Sequence, residues 1–357
     1  MERYIAVDNV CAWPCLNLEP DGSLLATLFN QPHHGGCEGD TECWGSEDGG
    51  RTWTLRGTVY PHKAGTNNGM NHAAGFTGSG AFVVIASGRD DRPPVGAVRS
   101  FDQSRILPPV VCRSEDGGRT WREDGEVNFP PEWRTPPIAF GPIQDLGAGI
   151  LGVPMHSDQN VFLFTSTDDG RTWQEFSRIA EGNYNETCLR VLKNGRLLVA
   201  ARTYGDQHLE LFVSDDRGVT WRARGPLTLA GQIPGNLLQM RDGRILLTFG
   251  IRNLGLRGLG YRWSADGGET WSRPGLLLNF EMITDCGYPS CVELADGTIV
   301  TAYYAGAIPA HWRYHMGILR WTLDALKDPA AFAQSYAGGA AWSADWAGSR
   351  SSEPGEI

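Results

Sequence analysis

The sequence predicts an all-β fold, a six-bladed β-propeller, on three observations. A turn pattern recurs five times, a second turn marker runs in phase with it, and a short N-terminal strand is available to close the ring. The pattern is Ser-x-Asp-x-Gly-x-Thr-Trp, starting at Ser46, Ser114, Ser166, Ser214 and Ser264 and ending at Trp53, Trp121, Trp173, Trp221 and Trp271. Successive starts lie 68, 52, 48 and 50 residues apart, a spacing in the range of propeller blades. The residue types suit a hairpin turn. Asp accepts from backbone N–H groups, Gly supplies positive φ, and the Ser and Thr hydroxyls tie the turn ends. The Trp is then placed to fill the space between neighbouring blades.

The second marker is Asp21-Gly22, Ser79-Gly80, Gly147-Ala148-Gly149, Asn194-Gly195, Asp242-Gly243 and Asp296-Gly297, each before a short apolar or alternating run such as Arg196-Leu197-Leu198-Val199-Ala200. Strand, tight turn, strand, then a third strand ending in the Ser/Asp/Trp turn is most of a four-stranded sheet. Six such units occur. The sixth ends in Gly317-Ile318-Leu319-Arg320-Trp321 without the turn, so Tyr4-Ile5-Ala6-Val7 is expected to supply its outer strand. Residues 1–335 form this propeller, with one short helix expected within 324–333. Residues 336–357, rich in Gly, Ala and Ser, read as a flexible tail in which Trp342 and Trp346 could dock on the body.

Composition narrows the function. Lys+Arg 31 against Asp+Glu 41 gives a formal net charge of -10, which argues against a nucleic-acid binder driven by bulk charge but leaves room for a local Arg cluster around one anionic group. No apolar run is long enough to span a membrane. Met1-Glu2-Arg3-Tyr4 carries no apolar signal core, so a cytoplasmic location is expected. A chain trimmed of its leader would read the same, and would be secreted or periplasmic. Eight Cys, at 11, 15, 37, 43, 112, 188, 286 and 291, form no dense framework and are expected as reduced thiols.

The repeated turn resembles the Asp box of the sialidase (neuraminidase) superfamily, and this chain is read as a divergent member of it. Asn185-Glu186-Thr187-Cys188-Leu189, followed by the Asn194-Gly195 turn and Ala201-Arg202, is similar to the sialidase segment carrying a catalytic Glu and, sixteen residues later, a carboxylate-binding Arg. Gly287-Tyr288-Pro289-Ser290-Cys291, then Asp296-Gly297 and Tyr303-Tyr304, is similar to the segment with the nucleophilic Tyr. The resemblance also implies an Arg shortly before an Asp box, for which Arg257 is the better placed and Arg252 the alternate. These types cohere chemically. A sugar whose anomeric carbon bears a carboxylate repels an anionic nucleophile, so a neutral Tyr activated by Glu suits it, and guanidinium forks hold the carboxylate at two points. The first half departs from the family. Ala12 stands where the first carboxylate-binding Arg would be, and the family's acid/base Asp would fall near Gly36, with Glu38, Asp40, His33 and His34 as substitutes.

Other polar residues reach the same edge of successive blades. Asp285 could orient Arg202 or Arg252. His72, with Asn71 beside it, opens blade two; His156 and Asp158 take the comparable place in blade three, and His208 follows Arg202. In His311-Trp312-Arg313-Tyr314-His315, alternation puts His311, Arg313 and His315 on one face, towards the channel or a polar rim. Arg89-Asp90-Asp91-Arg92 is a second possible source of an acid. His33-His34-x-x-Cys37 with Cys43 does not match the usual zinc spacings; a Cys37–Cys43 disulfide is the other reading if the protein is exported. No metal and no cofactor is expected.

The reading that results is an exo-glycosidase hydrolysing a terminal, acidic sugar of a glycan. Tyr288 is nucleophile or cation stabiliser, Glu186 its base, and Glu38 or a nearby His the proton donor. Arg202, Arg257 or Arg252, Asp285, Asn71, His72, His311 and His315 bind substrate. Two rivals stand beside it: a uronate-polysaccharide lyase with a Tyr/His base, and a non-catalytic glycan-binding propeller. A carbohydrate is the expected partner in all three.

Overall fold

The computed structural model describes residues 1–33, 38–90, 105–281, 285–306, 308–309 and 311–326. Six sheets follow one another as blades. Blade one is Ala12–Leu18, Leu24–Phe29, Thr41–Ser46 and Thr54–Tyr60; blade two is Thr66–Phe76, Phe82–Asp90, Val110–Ser114 and Arg122–Glu126. In blade three the inner position is shared by Ile138–Ala139 and Gln144–Gly147, which both pair with Ile150–Ser157 ahead of Asn160–Ser166 and Gln174–Ala180. Blade four is Tyr184–Val191, Leu197–Thr203, Leu209–Ser214 and Arg222–Pro226, and blade five Gly235–Gln239, Ile245–Asn253, Leu256–Ser264 and Gly275–Asn279.

Blade six is built from both ends of the chain. Cys286–Glu293, Ile299–Ala305 and His315–Trp321 are completed by Glu2–Asp8, with Tyr4 opposite Ile318 and Asp8 opposite His315. The expected closing strand is therefore the outer strand of the last blade. Closure leaves that sheet without an unpaired third strand, the usual hazard of an open edge. A short 3-10 turn, Leu323–Ala325, runs into the start of the stretch where a helix is expected; residues 327–357, which hold the rest of that stretch and the expected tail, lie outside the described residues. No helix among the described residues is long and apolar enough to cross a membrane.

The repeated turn works as its residue types require. In blade one, the Ser46 hydroxyl donates to Asp48 and accepts from the Gly50 amide, while Asp48 accepts from the Thr52 amide at 2.9 Å and its hydroxyl at 2.7 Å. The same bonds recur at Asp116, Asp168, Asp216 and Asp266. Hydrogen bonds from Thr220 bring the Asp216 carboxyl down to about 2. Each Trp packs towards the preceding blade: Trp221 lies against the blade-three and blade-four residues Leu163, Leu189 and Val199, and its indole N–H donates to Ser177 of blade three at 3.1 Å. These seams are filled by wholly buried Leu, Val, Ile and Phe, each worth about 1.5–3 kcal/mol.

Chain direction decides where function can gather. First strands begin, and second strands end, on one face of the ring; the Asp-box turns close third strands on the other. The first strands of blades one, two, four and six carry a register shift near this beginning, between Ala12 and Cys15, Asn68 and Asn71, Tyr184 and Thr187, and Gly287 and Ser290. A bulge adds a residue and re-aims the side chains beside it. Trp13 and Tyr288 sit in these bulges with φ of 47° and 50°, a left-handed conformation rare for aromatic residues.

Candidate active site

Tyr288 and Glu186 meet at the axis. The Tyr288 hydroxyl donates to Oε1 of Glu186 at 2.5 Å, and the Asn71 amide donates to the same oxygen at 3.1 Å. The other carboxylate oxygen of Glu186 accepts from Nη1 of Arg202, which also reaches the Tyr288 hydroxyl at 3.0 Å. Blades two, four and six thus converge on one carboxylate. The bend that delivers Tyr288 requires Gly287, at φ 120°, to approach Gly250 of blade five so closely that a Cβ would lie 3.2 Å from its Cα.

Burial pushes the Glu186 carboxyl up, but the Arg202 guanidinium and the hydrogen bond from Tyr288 outweigh it and hold the group below its ordinary value. Tyr288 moves the other way: burial and the neighbouring Glu186 charge raise its hydroxyl well above 10, against Arg202 and Arg252. The resting pair is a neutral phenol donating to a carboxylate, the arrangement of a nucleophile held by its base.

Arg252 covers Tyr288 from blade five, its guanidinium carbon 5.6 Å from the ring centroid. Its Nε donates to the Cys286 carbonyl, and its Nη2 lies 3.3 Å from both the Tyr304 hydroxyl and Oδ1 of Asp285. Asp285 does orient Arg252, one of the two arginines expected for it. Beside the pair opens a cavity of about 500 Å³, with Glu186, Arg202, Arg252 and Tyr288 in its wall. Arg89, His156 and Asp158 line the wall from blades two and three, and Tyr204 from the loop after Arg202. His156 is buried with no side-chain hydrogen bond among the described residues; burial, and then Arg202 and Arg89, lower its imidazole to about 4 although Glu186 pulls it up. It is neutral near pH 7.

The BNR repeat-like domain family matches residues 95–301, more than half of the chain. The chain belongs to this family. None of the curated proteins matches it. Among solved structures, a protein of unknown function from Dyadobacter fermentans is similar at a TM-score of 0.75 and 20% identity, over 90% of this chain and 97% of that one. A Hadza microbial sialidase is similar at 0.68 and 19%, over 88% of this chain and 66% of its own. The Trypanosoma rangeli sialidase is similar at 0.64 and 17%, over 90% and 56%. This BNR-repeat protein shares its fold with those two sialidases and spans only about half to two thirds of their length.

Six of the expected site residues do not line the cavity of this BNR-repeat chain; Asp285 is one, and it reaches the site through Arg252. Glu38, half exposed, accepts from the Gly65 amide at 2.6 Å and lies 3.7 Å from His62; it is a rim residue. Arg257 stands directly opposite Arg252 in the blade-five hairpin, yet Arg252 takes the cavity. His72 is buried with Nε2 3.2 Å from the Thr27 carbonyl, joining blades one and two. His311 pairs with Asp8 at 2.5 Å and stacks edge-on against the buried His315, 5.2 Å away. Those histidines fasten the closing strand. Gly36, His34 and Cys37 lie outside the described residues; Cys43 is buried between blades one and two, its thiol pushed up to about 12 by burial. Among the described residues, no group of three His, Cys, Asp or Glu could hold a metal ion.

Tyr204 and Asp206 escaped the sequence reading. The available signal was position: both follow Arg202 in the loop between second and third strands, on the face where the other polar residues gather.

Proposed function

We propose that the protein is a sialidase-like glycoside hydrolase that cleaves a terminal acidic sugar through Tyr288. The observation that carries the proposal is the 2.5 Å hydrogen bond from Tyr288 to Glu186 with Arg202 touching both groups. As the phenolic oxygen attacks the anomeric carbon, its proton passes to Oε1 of Glu186 and the bond to the leaving oxygen breaks. Arg202 stabilises charge developing on the phenolic oxygen. Water then attacks the anomeric carbon and gives a proton to the side chain that protonated the leaving oxygen, while Glu186 returns its proton to Tyr288 as the bond to the phenolic oxygen breaks.

The leaving oxygen departs on the face opposite the attacking group. In a ring of six blades, blade three faces blade six, which makes its cavity-lining side chains, His156 and Asp158, the ones placed to protonate it; of the two, His156 is the buried one and is taken as the donor. An anionic sugar beside His156 favours the protonated imidazole, as Glu186 does, against the burial that lowers it.

A second reading, β-elimination from a uronate, is favoured by the same cavity-facing His156 opposite Tyr288. Incubation with an aryl sialoside and with uronate polymers separates them. Hydrolysis releases the aryl alcohol and is lost in Tyr288→Phe; elimination gives an ultraviolet-absorbing unsaturated product. An aryl sialoside left intact, or turnover unchanged in Tyr288→Phe, overturns the hydrolase reading.

A further inference from the structure

The two arginines of the clamp are already bridged by a carboxylate of this chain. Oδ1 of Asp206 lies 2.6 Å from Nη2 of Arg202, and Oδ2 lies 3.9 Å from Nη1 of Arg252. Counting Glu186 on Arg202 and Asp285 on Arg252, two guanidiniums face three carboxylates. Arg89 and Asp158, which also line the cavity, cancel one another. With one carboxylate more than its guanidiniums, the site as it stands has little net attraction for an anion.

The three carboxylates differ in how firmly they are held. Glu186 is buried and takes bonds from Asn71, Tyr288 and Arg202. Asp285 has only 26% of its side chain exposed and stands behind the cavity wall, on the Arg252 nitrogen that also reaches Tyr304. The Asp206 side chain is 48% exposed, in a three-residue turn outside the strands. Gly205 and Asp206 are both left-handed there, at φ 67° and 50°, a conformation that Gly and Asp adopt more readily than most residues. The Asp206 backbone is fixed, since its carbonyl accepts from the Gly231 amide at 2.8 Å. The carboxylate can therefore swing out by side-chain rotation alone, without the loop opening.

We infer that Asp206 is a built-in stand-in for the substrate carboxylate, occupying the Arg202–Arg252 clamp and displaced by an acidic sugar, so that it sets the preference for anionic over neutral ligands. The inference rests on the reading of Arg202 and Arg252 as an anion clamp. It makes the affinity for a sugar acid weaker than two arginines alone would give, because each binding event must first displace an internal anion.

The test is calorimetric titration of the full chain and of Asp206→Asn with N-acetylneuraminic acid and with its methyl ester, which exchanges the charge for a methyl group. Asp206→Ala, which removes the amide of the first variant as a substitute ligand, is run beside it, and thermal melting checks that each variant is folded. The expected result is that both variants bind the acid about 5- to 20-fold more tightly than the parent, with binding of the ester unchanged. Added salt should shrink the gain. If the parent prefers the acid to the ester and the variants bind the acid no better or less well, Asp206 supports the clamp rather than competing for it, and the inference fails alone. If neither the parent nor the variants prefer the acid, the anion-clamp reading fails with it. A preference that emerges only in the variants supports the inference.

Discussion

Trp13 meets Tyr288 edge to face, with ring centroids 6.2 Å apart and planes at 73°. Trp13 also lies 5.8 Å from Phe29 and 5.7 Å from Tyr304. An aromatic wall thus occupies the part of the first blade where the sialidase resemblance leads one to expect a guanidinium. Ala12, the residue in that place, is fully buried at φ 44°. The departure from the family is a replacement of charge by packing, and it braces the back of the candidate nucleophile.

Truncating that wall should be expensive. Trp13→Ala is expected to lower the free energy of unfolding by about 3–5 kcal/mol, and Trp13→Phe by less. Denaturant titration measures both. Ala12→Arg is expected to destabilise rather than restore a third arginine, because its charge would be buried without a partner.

Arg252 and Arg257 face one another across a single hairpin, and only Arg252 is set beside Tyr288 and Asp285. Arg252→Gln is expected to reduce kcat/KM for an acidic aryl glycoside by about a hundredfold or more, the loss of one buried charge-assisted contact. Arg257→Gln should stay within a few-fold of the parent. Steady-state kinetics on the two variants decide between them, and equal losses would contradict the placement.

His156 should leave a signature in stability against pH. Its folded value is depressed from 6.5 to about 4, so the unfolded chain binds the extra proton between those values. Stability is then fully present above about 6.5 and falls as the pH drops towards 4, by at most about 3 kcal/mol. His315 is lowered as well, chiefly by burial, and adds a fall of the same sign. His156→Gln should flatten the decline of Tm between pH 6.5 and 4 without abolishing it.

The ring closure gives a fourth expectation. Removing residues 1–9 deletes the outer strand of blade six together with Glu2, which bonds Arg320, and Asp8, which bonds His311 and Arg313. The truncated chain should lose cooperative melting and aggregate through the exposed strand His315–Trp321. Light scattering during a thermal ramp reports this; a clean, unshifted transition would show that the strand is dispensable.

The propeller and its closure were legible because the Asp-box turn depends on local chemistry: four residue types at fixed spacing make the same bonds in each blade. Glu186, Arg202 and Tyr288 were legible because motif and strand register together assign them to one end of an inner hairpin. Glu38, His72, His311 and His315 share that end in sequence but not in space. Their side chains are claimed by Gly65 and His62, by Thr27, and by Asp8 and its neighbours. Strand alternation could not separate Arg252 from Arg257, which are opposite one another on the same face. Asp206 was missed for a different reason: its position after Arg202 puts it on the right face, but a loop residue acquires its role from the two arginines it bridges.

The central claim is that Tyr288 forms a covalent bond to the sugar with Glu186 taking its proton. Incubation with 2,3-difluorosialic acid followed by peptide mass spectrometry tests it most directly. The expected result is one adduct per chain on the peptide containing Tyr288, absent in Tyr288→Phe and formed far more slowly in Glu186→Gln. Turnover of an aryl sialoside with no adduct, or with an adduct on another residue, would contradict it.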